Sequence, residues 1–220
     1  MTTIERITKL TNVPATTLSE EQIAENKNRF IQIFEENVSR KGAKKLLDYL
    51  KKSDFFVAPA STKYHMSCKG GLCAHSLNVY DALTSKLSEK QFKEVYGLDY
   101  SAETVAIVAN LHDFCKVMFY DVELRNRKNE QGVWEQVPVY TVDNEAPLGH
   151  GSKSVVGLMK FIDLTKPEMY AIWHHMGFTE GEENHNDVRT TFDMYRLALA
   201  LFEADMEATY WMENVKEHLG

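Results

Sequence analysis

Cysteine is scarce in this 220-residue chain. There are three, Cys68, Cys73 and Cys115, an odd number at spacings that form no disulfide framework. That usage points to a reducing cytoplasm. Long apolar runs are missing too, and no stretch reaches the ~20 residues that cross a bilayer. The opening residues, Met-Thr-Thr-Ile-Glu-Arg-Ile-Thr-Lys-Leu, hold no apolar block and no small-residue cleavage site, so no secretory signal is expected. Cationic excess is absent: 25 Lys and Arg against 32 Asp and Glu leave a net charge of −7. That balance excludes broad binding to nucleic-acid duplex but leaves room for a small basic pocket. Internal repeats and low-complexity tracts are also absent. The remainder, 44% hydrophobic and 26% charged, suits a globular chain with enough length for a real core.

The expected fold is mainly α. Residues 1–16 read as a weakly structured arm, and residues 17–220 as a single helical domain. Ser19-Glu-Glu-Gln22 is a capping box that opens a helix to about Val38, with Ile23, Phe30, Ile31 and Phe34 at helical spacing. Arg40 to Lys52 reads as a second helix. A loop follows from Phe55 to His65. Gly70-Gly71 opens a helix to about Leu87, with Leu72, His75 and Val79 on one face. Ser101 caps the helix that leads to His112-Asp113. Residues 118–142 predict a β-hairpin insertion around a turn at Asn129–Gly132. Gly149 to about Phe161 is helical. Thr165-Lys-Pro-Glu168 is a second capping box, opening a helix through His175. Met176 to Asn186 is a polar loop. The last and longest helix is expected from Asp187 to Val215, with Leu197, Leu201, Asp205 and Ala208 along one stripe.

Two anomalies stand out. His112-Asp113 closes the apolar run from Ala102, where an imidazole and a carboxylate are costly unless paired. Asp205 lies on the apolar stripe of a core helix. Alone, each is explained by a buried hydrogen bond or a basic partner. Together with His75 and His175 they make five helix-borne side chains that suit a divalent ion such as Zn, Fe, Mn or Co. Ligands spread over several helices suggest a site in a bundle core that keeps positions open for water and substrate. His150 could join from a Gly-His-Gly loop, where the alternative is a surface turn. His174 is a further possibility, although a helix turns adjacent residues about 100° apart. His65 and His185 fall outside the expected ligand set, and His218 is expected in solvent. Cys73 and Cys115 read as small core residues.

These residues stand in recognisable segments. Gly70-Gly-Leu-Cys-Ala-His75, Leu111-His-Asp-Phe-Cys-Lys116, Pro147-Leu-Gly-His150-Gly, Ile172-Trp-His-His175-Met-Gly and Glu203-Ala-Asp205-Met-Glu-Ala occur in the order of an HD-domain phosphohydrolase. The chain resembles that superfamily from about Arg40 to Ala208. Within it the chain is most similar to the HD domain of bacterial 3′-to-5′ exoribonucleases, without the OB-fold module those enzymes carry. The resemblance implies an HD-type helical bundle and one or two divalent ions (Mn, Fe, Zn, Co, Ni or Mg). His75, His112, Asp113 and Asp205 would hold the first ion. Asp113 would bridge to a second, held also by His150 and His175.

The implied reaction is hydrolysis of a phosphoester, of a nucleotide or a short nucleic-acid end, through a metal-activated water. Asp113 and Lys116 would serve catalysis, with Lys116 contacting a phosphate oxygen or the water. Lys63, Lys153, Arg125 and Arg127 are candidate phosphate contacts. For Arg125, Arg127 and Lys128 the alternative is a solvated hairpin tip, and for Lys116 a cation at a helix C-terminus. Trp173 and Tyr64 are candidate pocket walls. The expected partner is a phosphorylated small molecule or short nucleic acid, with no membrane. Two other functions fit the same ligands: an HD-type di-iron oxygenase, and a non-catalytic nucleotide-binding module.

Overall fold

The computed structural model describes residues 2–14, 17–142, 148–179 and 181–213. The protein is mainly α, with ten α-helices and one two-stranded antiparallel hairpin among those residues. The helices are α1 (Thr3–Thr11), α2 (Glu20–Asn37), α3 (Ala43–Lys52), α4 (Gly71–Ser88), α5 (Lys90–Glu94), α6 (Ala102–Leu111), α7 (His150–Leu158), α8 (Lys166–Trp173), α9 (His185–Met194) and α10 (Arg196–Glu207). None is long and apolar enough to cross a membrane. Both capping boxes form, at Ser19–Gln22 and Thr165–Glu168, and Ser101 caps α6. Each gives orphan N–H groups a side-chain partner, which sets the helix start.

α4 and α6 are the centre. Val105 to Leu111 are all buried on α6, and α4 buries Leu72 through Leu77 together with Val79, Ala82 and Leu83. Helices apolar around most of their girth must be covered on most sides. α4 therefore packs against α2, α6 and α10, while α8 contacts α6, α7 and α10. Two glycines permit close approaches that matter for the site. A Cβ at Gly71 would collide with the Met66 carbonyl, where the 55–70 loop crosses the start of α4. A Cβ at Gly151 would collide with the Trp173 carbonyl, where α7 meets α8.

β1 (Tyr120–Lys128) pairs with β2 (Trp134–Val142) from Tyr120↔Val142 to Lys128↔Trp134. The hairpin falls within the expected segment. Its base is fixed by a contact that local pattern does not reveal: Arg6 Nη1 donates to the carbonyls of Met118, at 2.6 Å, and Tyr120, at 3.0 Å.

Several expectations need correction. The weakly structured arm contains α1, because Thr2 and Glu5 form a capping box and Leu10 is fully buried. Residues 15 and 16 lie outside the described part. The expected last helix is two helices. Tyr195 leaves helical geometry (φ −127°, ψ 90°) and stacks on Tyr170 with ring centroids 4.7 Å apart. α10 then passes into a π-helical turn, Ala208–Met212. Residues 214 and 215, within the expected span, and His218 lie outside the described residues. The longest described helices are α2 and α4, with 18 residues each. The 176–186 loop carries two short 3₁₀ turns, Gly177–Thr179 and Glu182–Asn184.

Candidate metal centre

Only His75 and Asp205, of the five expected helix-borne donors, sit within α-helices. His112 is the C-cap of α6, Asp113 follows it, and His175 lies two residues past α8. A helix C-terminus leaves carbonyls without intrahelical partners, and two histidines use them. His112 Nδ1 donates to the Ala109 carbonyl at 2.8 Å, and His175 Nδ1 donates to the Ile172 carbonyl at 2.7 Å. His75 Nδ1 donates instead to Glu213 Oε1 at 2.9 Å. In each ring the acceptor fixes a proton on Nδ1, so that Nε2 is the nitrogen that gives up its own proton and offers a lone pair when a metal binds the neutral imidazole.

The three Nε2 atoms face two carboxylates in a small buried space. His75 Nε2 lies 3.2 Å from Asp205 Oδ1, 3.3 Å from His112 Nε2 and 3.7 Å from Asp113 Oδ2. His112 Nε2 is 3.4 Å from Asp113 Oδ2. His175 Nε2 is 3.5 Å from the other oxygen, Asp113 Oδ1. Two ligands about 2.0–2.1 Å from one ion stand about 2.8–3.4 Å apart, from octahedral to tetrahedral geometry. The donor spacings approach that separation. Asp113 Oδ1 and His175 Nε2 are buried with no hydrogen-bond partner among the described residues. Such orphaned atoms are costly, and a cation would satisfy both. Two compact groups emerge, His75–His112–Asp205 and His112–Asp113–His175. The donor set fits a divalent ion.

Electrostatics agree. Burial alone would lower the His75 pKa, but the Glu213 charge and the hydrogen bonds His75 donates to Asp205 and Glu213 raise it to about 10. His175 is lowered by burial and raised further by the facing Asp113 carboxylate, with a net upward shift. Burial would raise Asp113, yet Lys116 and His112 hold it well below the usual carboxylate range. Asp205 is also lowered, its burial outweighed by His75. The cluster is thus a well of negative potential that attracts protons or a metal ion.

The cluster opens into a cavity of about 840 Å³. His75, Asp113, Asp205 and Lys116 line it, with Lys63 and Tyr64 toward the exposed side. Lys116 Nζ is 2.7 Å from Asp113 Oδ2.

Other sequence candidates lie elsewhere. His150, exposed at the start of α7, has Nδ1 3.4 Å from Cys115 Sγ and belongs to neither inner group. Pro147, in the same segment, lies outside the described residues. His174 faces a second cavity of about 490 Å³, with Tyr170, Trp173, Asp187 and Tyr195. Lys153 sits over the Phe119 ring, 5.9 Å from its centroid. Arg125 is exposed, 3.4 Å from Glu123, and Arg127 stands across the hairpin from Glu135. The structure does not bring Lys153, Arg125 or Arg127 to the wall of the metal cavity.

Sequence reasoning missed Glu213 and understated His65, whose Nδ1 lies 2.7 Å from Glu213 Oε2. The Trp-Met-Glu context of Glu213 carries no periodic signal. No family model, curated protein or solved structure matches the chain.

Proposed function

We propose that the chain is a metal-dependent phosphohydrolase of the HD type, acting on a phosphoester of a nucleotide or a short nucleic-acid end. One observation carries this reading: five buried donors, His75, His112, Asp113, His175 and Asp205, cluster beside a cavity that His75, Asp113, Asp205 and Lys116 line. About 840 Å³ is within the usual range for small-molecule sites.

A bound divalent ion supplies Lewis acidity and a water that ionises near neutral pH. The residues do the rest. His75, His112 and His175 present Nε2 in fixed orientations, so little reorganisation is needed on binding. Asp113 offers one oxygen to each side of the cluster, which suits a bridging role if two ions bind. Burial pulls the Lys116 pKa down, but Asp113 raises it more, and the ammonium stays charged. It is placed to neutralise charge developing on phosphoryl oxygens. Lys63 offers a second cation at the exposed side for a further phosphate.

The test is elemental analysis of wild type and Asp113→Ala, with bis(p-nitrophenyl) phosphate and a nucleotide panel assayed on the same samples. Wild type should carry one or two equivalents of transition metal and turn over substrate, and the variant should lose both. Full turnover by Asp113→Ala, or a wild type that stays metal-free and inactive after reconstitution, refutes the reading.

A further inference from the structure

We propose that Glu213 is a positioning residue for His75, holding its imidazole so that Nε2 faces the ion. The inference rests on the metal reading of the inner cluster. His112 and His175 lie beyond their helices and each uses a carbonyl three residues earlier. His75 has no such option: it lies inside α4, where the preceding carbonyls are taken by the helix. Its Nδ1 needs a partner from elsewhere in the fold.

Glu213 supplies it. The carboxylate is fully buried and accepts from three side chains: His75 Nδ1 at 2.9 Å, Asn78 Nδ2 at 2.9 Å and His65 Nδ1 at 2.7 Å. Burial would raise its pKa, but His75 and the hydrogen bonds bring it down to about 2. His75 is thereby gripped at both nitrogens by one chain segment, Asp205 at Nε2 and Glu213 at Nδ1. Backbone geometry makes this possible. The π-helical turn Ala208–Met212 closes with Glu213 N–H donating to the Ala208 carbonyl at 3.0 Å. Its wider winding changes where the eighth residue after Asp205 points.

His65, His75 and Glu213 form a third compact group, and a separate ion there is the competing explanation. The distances argue against it. The 2.7 Å separation is that of a hydrogen bond, shorter than the about 2.8–3.4 Å between two ligands on one ion, and the 2.9 Å separation is the usual length of an N–H···O bond. A carboxylate behind a ligating histidine fixes its orientation and makes it a stronger donor.

The test titrates the full chain, as wild type, Glu213→Gln and Glu213→Ala, with Co(II) under chelator competition. Visible absorption reports the coordination, and circular dichroism reports folding. Glu213→Ala should bind the wild-type number of ions at saturation, but about 10- to 100-fold more weakly. Glu213→Gln keeps an acceptor without the charge and should fall between. Should Glu213→Ala fail to fold, the nearly isosteric Gln variant carries the comparison. Unchanged affinity in the folded variants overturns the proposal. So does loss of a full equivalent at saturation, which would make Glu213 a ligand. A wild type that binds no Co(II) refutes the metal reading itself.

Discussion

Replacing Asp54 with Asn should remove a pH-dependent penalty carried by the fold. The Asp54 side chain is fully buried. Oδ1 accepts the Met118 N–H at 2.7 Å, while Oδ2 has no hydrogen-bond partner among the described residues. Burial raises the carboxyl from 3.8 to about 6, and the Met118 N–H and the Arg6 charge offset only part of that rise. The folded state therefore binds the proton more tightly than the unfolded chain. This contribution to stability is present in acid and is lost as pH rises from about 4 to about 6. Two pKa units correspond to about 3 kcal/mol. Asn is neutral at every pH and keeps an acceptor for Met118. Any fixed cost of its amide is the same at pH 4 and pH 8, so it cancels in the comparison. At pH 4 part of that term has already gone, because the unfolded carboxyl is itself partly ionised there, so the stability of Asp54→Asn relative to wild type should improve by about 2.4 kcal/mol between those pH values. For a chain of this size that is a shift of about 5–10 °C in relative Tm. Urea unfolding at both pH values, with chelator present, measures it. A difference that is flat with pH, or that moves the other way, refutes the assignment of Asp54 as a carboxylate ionised at a cost.

Two more perturbations separate scaffold from chemistry. Arg40 grips Glu168 through two bonds, at 2.7 and 2.9 Å, and Glu168 is fully buried. Arg40→Ala should cost about 3–5 kcal/mol by stranding that charge, with Arg40→Ala/Glu168→Ala costing less than the sum of the single changes; additivity in thermal unfolding would contradict this. Lys116→Met should retain metal while lowering turnover of a phosphodiester by about 10²- to 10³-fold, and an unchanged kcat would remove Lys116 from the mechanism.

Local signals were readable directly. Ser19–Gln22, Ser101 and Thr165–Glu168 announce helix starts because capping is a matter of residues three apart. The hairpin is legible because its turn and alternating strands are contiguous. His112-Asp113 and Asp205 attract notice because polar groups in apolar runs need an explanation. α1 was missed although its Thr2–Glu5 box was available, since its stability depends on burying Leu10 and on Arg6 reaching the hairpin base.

By itself, then, the sequence determined a mainly helical chain with a hairpin insert and a short set of residues whose burial would demand partners. It could do so because helical periodicity, capping and local polarity are encoded within a few neighbouring residues. Tertiary structure decided which of those partners meet. It brought His75, His112, Asp113, His175 and Asp205 within 3.2–3.7 Å contacts, and it set His150 and His174 apart from that cluster. It also wound the π-turn that delivers Glu213 to His75. Those outcomes depend on how helices far apart in the chain pack, and packing is settled by the whole core at once.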